Sequence, residues 1–164
     1  MRVLAWMQVV TREDFAVHTG ATYGPSDWIV IDQTMIDRFA ALCGDDQYIH
    51  VDPIRAADGP FGGTLAHGFL TMSLLSTMAR QVVPRPAGAR MGVNYGFDRV
   101  RFVAPVPAGS RVRGTFTLDT CDTSMPGELR LTWDVTVEVE GGAKPALVAC
   151  WLTRQYLGGK HGAA

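Results

Sequence analysis

The stretch GGTLAHGFLTMSLLSTMARQ, Gly62 to Gln81, decides how the rest of the chain must be arranged. Between Leu65 and Ala79 it carries no charged side chain unless His67 is protonated. Apolar residues fall on every side of the helical wheel, with Ala66, Gly68, Ser73 and Ser76 between them. A helix that is apolar all round is a buried helix. This one falls short of the ~20 residues needed to span a bilayer. Protein must therefore surround it.

The sequence downstream supplies that protein. MGVNYGFDRVRFV (91–103), SRVRGTFTLDTC (110–121), ELRLTWDVTVEVE (128–140) and PALVACWLTRQYL (145–157) are long runs of β-type composition. The third run alternates: Arg130, Thr132, Asp134, Thr136 and Glu138 lie on one face. Leu131, Trp133, Val135, Val137 and Val139 lie on the other, the period of a half-buried strand. APVPAG, SMPG and EGGAK between the runs are turn chemistry. A buried helix followed by an antiparallel meander predicts an α+β fold with one curved sheet wrapped around the helix.

Working upstream, Thr11 with Asp14 three residues on predicts a capped helix over Arg12–His18, stopped by Gly20. SDWIVI (26–31) reads as a strand. Asp32 then caps a helix from Gln33 to Leu42, with Ile36, Phe39, Ala40 and Cys43 on one face and Gly44 as its stop. The segment GDDQYIHVDP, Gly44 to Pro53, follows as a loop leading into an extended piece.

The bulk numbers set limits. The chain's 164 residues suit one domain, with no repeat, linker or second domain and with flexible ends at 1–10 and 158–164. Apolar residues make up 47% and charged residues 19%, below the usual quarter, so a partner subunit is expected to cover part of the surface. The formal net charge of −1 argues against nucleic acid. Cys43, Cys121 and Cys150 form no CxxC pair and predict neither a disulfide framework nor a zinc site. They read as free thiols of a cytoplasmic protein. MRVLAWMQVV lacks a small-residue cleavage site and reads as mature protein, with Met7 as an alternative start.

GDDQYIHVDP concentrates three aspartates, a histidine and an amide beside this core. A turn can bring Asp45 and His50 to one point, where a carboxylate orients or deprotonates water and an imidazole moves a proton the other way. The plainer reading has Asp45 capping a turn and His50 as a satisfied, half-buried histidine. For an isolated D-x4-H pair the plainer reading is preferred. His67-Gly68, at the start of the buried helix, changes the weighing. Backbone N–H groups there are unpaired and carry partial positive charge, and glycine admits close approach. One such N–H could hold the developing charge of a thioester enolate; alternatively, Gly68 only permits close helix–sheet packing. His50, Asp52 and His67 match no standard metal-ligand spacing, and Asp52 reads instead as the cap of PIRAAD. Cys43, on the apolar helix face, reads as a structural thiol.

GDDQYIHVDPIRAADGPFGGTLAHGFLTMSLL resembles the hydratase motif of MaoC-like dehydratases and (R)-specific enoyl-CoA hydratases, in particular the nodulation-protein-N-like subgroup. NYGFDRVRFVAPVPAGSRVR is similar to the sheet region of that family, so the likeness covers nearly the whole chain. It implies the hotdog fold. It implies Asp45 and His50 as the catalytic pair, Gly68 as the thioester-contacting glycine, and Ser76 as a supporting serine. Where many members have Asn-Pro, this chain has Gln47-Tyr48. Gln47 retains an amide in a supporting position, and Tyr48 adds bulk that could narrow the acyl pocket.

The implied reaction is reversible hydration of a trans-2-enoyl thioester to an (R)-3-hydroxyacyl thioester. No metal or cofactor is implied beyond the coenzyme A or acyl carrier protein within the substrate, and a homodimer or dimer of dimers is expected. Two other classes stay open: a hotdog acyl-CoA thioesterase, which would release free thiol, and a non-catalytic acyl-thioester-binding subunit.

Overall fold

The computed structural model describes residues 9–158. β1 (Val9–Val10), α1 (Arg12–Val17), β2 (Thr22–Tyr23), β3 (Ile29–Ile31) and α2 (Gln33–Cys43) come first, followed by two short helices, α3 (Tyr48–Val51) and α4 (Pro53–Ala57). Next are α5 (Gly68–Ser73) and α6 (Leu75–Val82), then β4 (Arg85–Pro86) and the long strands β5 (Ala89–Phe102), β6 (Ser110–Asp122), β7 (Glu128–Val139) and β8 (Leu147–Leu157). The main sheet runs β2-β6-β7-β8-β5, with β3 also paired to β6, and every pairing in it is antiparallel. β1 and β4 form a separate parallel pair.

The cap positions follow the sequence. Thr11 Oγ1 accepts from the Asp14 N–H at 3.0 Å, and Asp32 Oδ1 accepts from the Met35 N–H at 2.8 Å. Each satisfies one of the donors that a helix start leaves open. On the sheet, Leu129, Leu131, Trp133, Val135 and Val137 of β7 are buried together with Val112, Phe116 and Leu118 of β6 and Leu147, Ala149 and Trp151 of β8. Ile36, Leu75 and Met78 join them in one core. Full burial of a Leu or Met side chain stabilises by about 1.5–3 kcal/mol.

Two expectations are corrected. The central helix is not one unbroken buried rod: residues 65–67 are not helical, Leu74 interrupts it, and Phe69 is 62% exposed. Its buried stripe is Leu70, Thr71, Leu75 and Met78. GDDQYIHVDP is not loop followed by an extended piece, because α3 and α4 occupy its second half and the residues after it.

β5 stands at the edge of the sheet. It pairs only with β8 among the described residues and carries register shifts at Ala89/Met91, Asn94/Gly96 and Phe97/Arg99. Met91, Tyr95 and Phe102 on it are exposed. No described helix is long and apolar enough to cross a membrane.

Candidate active site

The site is assembled by the chain between α2 and α5. Gly44 ends α2 in the left-handed conformation (φ 79°), its N–H bonded to the Ala40 carbonyl. The chain therefore turns sharply and presents Asp45 to solvent. The Gln47 carbonyl accepts the His50 N–H at 2.8 Å, which starts α3 and swings the His50 ring inward. Asp52 Oδ1 accepts from the Arg55 N–H at 3.0 Å and starts α4, as the sequence predicts.

Three contacts fix His50. Its Nδ1 lies 2.7 Å from the Leu65 carbonyl. A carbonyl can only accept, so Nδ1 carries the proton and Nε2 is left to accept another. Gln33 Nε2 donates to the His50 carbonyl at 2.7 Å, and Thr64 Oγ1 donates to Gln33 Oε1. The first residue of α2 thus ties His50 to the strand-like segment before α5. The third contact is the His67 ring, stacked on the His50 ring with centroids 3.8 Å apart.

His67 is the residue that sequence reasoning undervalued. It is 2% exposed, and its Nε2 donates to the Asp45 carbonyl at 2.9 Å. It therefore holds the main chain of Asp45 while stacking on the ring of His50, with Phe39 against it at 5.1 Å. Its Nδ1 is buried without a partner. Proton- or metal-binding atoms of Asp45, His50 and His67 all lie within 4.8 Å of one another. That donor set could hold a divalent metal, and it could equally hold a water molecule. The sequence placed His67 at the helix start and among possible ligands. Its pairing with both members of the D-x4-H motif depends on the tertiary fold.

Gly68 is the first residue of α5, directly after His67. A β-carbon there would sit 2.9 Å from the face of the Phe102 ring, too close to be tolerated without movement. The packing role raised by the sequence is therefore real, and alanine at Gly68 must displace Phe102. Gly68→Ala is expected to cost about 1–3 kcal/mol as overpacking and to lower turnover. Adding Phe102→Leu should restore much of the melting temperature. If turnover returns along with stability, Gly68 serves packing alone; if turnover stays low, its N–H is needed by the substrate.

Ser76 lies on α6, where its hydroxyl accepts from Asn94 Nδ2 at 3.3 Å. It lines a cavity between α6 and the sheet and makes no described contact with the histidine cluster. The exposed Gln47 makes no capping bond with its side chain. Tyr48 does not line this cavity; its ring lies under the Arg55 guanidinium at 4.1 Å. Cys43 is exposed rather than buried on the helix face. Burial pushes the thiols of Cys121 and Cys150 up from their ordinary range, so neither offers a ready thiolate.

Residues 14–138 match the family described as MaoC like domain. Nodulation protein N from Rhizobium leguminosarum bv. viciae is 50% identical over 148 residues, covering 90% of this chain and 92% of that protein. A 3-hydroxyacyl-thioester dehydratase Z from Mycobacterium tuberculosis is 49% identical over 136 residues, covering 83% and 89%. Among solved structures, the (R)-hydratase from A. caviae superposes with a TM-score of 0.64 at 23% identity, covering 82% of this chain and 94% of that one. That likeness is one of fold, and the fold is the hotdog.

Proposed function

Because the chain belongs to the MaoC-like domain family, we propose that its cluster of Asp45, His50 and His67 beside the Gly68 helix adds and removes water at an acyl thioester. The protein is then an (R)-specific enoyl-CoA hydratase, or in reverse a 3-hydroxyacyl-thioester dehydratase. The observation that carries this reading is the convergence of a solvent-facing carboxylate and two fixed imidazoles within 4.8 Å. Relatives named 3-hydroxyacyl-thioester dehydratase and (R)-specific enoyl-CoA hydratase support it.

Asp45 and His50 hold a water molecule and take its proton as the oxygen bonds to C3 of the enoyl group. They deliver a proton to C2 as the double bond becomes single. The electron pair displaced from C2=C3 passes through the thioester carbonyl, whose oxygen gains charge and is met by the Gly68 N–H. The thioester itself acidifies C2, so no metal or organic cofactor enters the step. His50 suits the proton-accepting role because its Nδ1–H is held by the Leu65 carbonyl, leaving Nε2 available.

The test is loss of enoyl-thioester absorbance on mixing with crotonyl-CoA, with chiral analysis of the product. (R)-3-hydroxybutyryl-CoA is expected. Release of free thiol without hydration would replace the reading with thioester hydrolysis.

The working form is a homodimer or dimer of dimers acting in the cytoplasm. The open β5 edge, with Met91, Tyr95 and Phe102 exposed along it, supports the assembly, and three free cysteines suit a reducing compartment. Sedimentation at micromolar concentration should give the mass of two or four chains, and a single-chain mass would contradict the assembly.

A further inference from the structure

The proton-transfer cluster does not use the solvent-open cavity of about 450 Å³ bordered by α6, β4, β5 and β8. It adjoins a smaller space of about 70 Å³ that reaches Phe15, Leu131 and Trp133 in the core. Ser76 lies on its wall near the start of α6, eight residues beyond Gly68. Arg80, one turn further on the same face, and Arg85 and Arg90 also line it. No carboxylate is among its lining residues, and neither Arg80 nor Arg90 forms an ion pair with a described residue.

The remaining polar groups of the wall also offer donors. Trp151 is buried, wedged between Phe97 and Phe116, and its indole N–H has no acceptor. The Gln155 amide lies against the backbone of Gly92, in the space a side chain there would fill. Arg80, Arg85 and Arg90 are exposed at the cavity rim, so an alkyl chain would leave them solvated, but it would offer no acceptor to them or to the buried Trp151 N–H. A carboxylate would accept charge-assisted hydrogen bonds from the guanidinium groups.

Resting on the hydratase reading above, we propose that this cavity receives the far end of the acyl group and that this end carries a carboxylate. The substrate class is then the ω-carboxy enoyl thioester. The order of residues along the chain gives the direction: the thioester at Gly68 on α5, the acyl chain passing Ser76 on α6, the terminal carboxylate at Arg80 on α6 and Arg85 on β4. The carrier's phosphates share the same anionic chemistry and can reach exposed arginines from solvent, so the test separates the two sources; the adjoining space toward core residues admits only the acyl chain.

The test compares suberyl-CoA with octanoyl-CoA, saturated thioesters of equal carbon count that bind without reacting, by isothermal titration of the full-length protein. Suberyl-CoA is expected to bind about 10-fold tighter. Arg80→Gln should remove most of that ratio, and the ratio should persist with the two N-acetylcysteamine thioesters, which carry no phosphate. Equal affinities in the wild type would overturn the proposal. So would a loss on Arg80→Gln that is the same for both CoA thioesters and absent with both N-acetylcysteamine thioesters, since the anion at Arg80 would then be the carrier's phosphate. Crotonyl-CoA hydration is followed separately: its absence removes the hydratase reading, whereas equal affinities remove only the carboxylate assignment.

Discussion

Asp45→Asn and His50→Gln are each expected to lower the hydration rate by roughly 10²-fold or more, the scale of acid–base catalysis. The double variant loses little beyond either single one. Asp45 and His50 sit within one cluster no wider than 4.8 Å between binding atoms, and in the proposed mechanism they act on the same water, so removing one strands the other. Asp45 is exposed, and its amide replacement is nearly isosteric, so the fold should survive. His50 is buried and bonded to Leu65; glutamine can keep a donor toward that carbonyl. Initial rates with crotonyl-CoA and melting curves on the same preparations make the check. Near-normal turnover in either folded single variant would remove that residue from the chemistry.

The second large effect is expected at His67. It touches His50 through its ring and the Asp45 carbonyl through its N–H, so its two contacts can be separated by substitution. His67→Phe keeps a ring against His50 and loses the bond to the Asp45 carbonyl. His67→Gln keeps a donor and loses the stack. Displacement of a catalytic group by about 1 Å can cost on the order of 10²-fold. His67→Phe is expected to approach that loss in kcat with a smaller change in KM, because freeing the Asp45 main chain misplaces its carboxylate without altering the cavity. His67→Gln should retain more activity. Wild-type kcat in a folded His67→Phe variant would show that the bond to Asp45 positions nothing.

Much of this arrangement was legible in the sequence because it follows from local chemistry. Thr11, Asp32 and Asp52 cap helices because a short polar side chain stands before a helical pattern. β7 alternates because one face is buried along nearly its whole length. Asp45 and His50 converge as the D-x4-H spacing suggests. The break at Leu74 was not legible: neither proline nor glycine marks it. α3 and α4 have four and five residues, too few for a period of 3.6 to show. The structural anchors Gln33 and His67 escaped because their partners lie 17 and 22 residues away, beyond the reach of any helical or strand pattern. The obstruction at Gly68 comes from Phe102, on a different element, and packing of that kind has no local trace.

The cluster is drawn from residues 45 to 68, whereas the cavity walls come from α6, β4, β5 and β8. In the proposed reading, one contiguous segment holds the reaction chemistry and later elements hold the selectivity. Exchanges at Arg90, Val93 or Gln155 would then retune which tail is accepted while the bonds that fix His50 and His67 stay as they are. Such a partition makes the scaffold evolvable: new acyl preferences can arise by drift in the strands, without the lineage passing through an inactive ancestor.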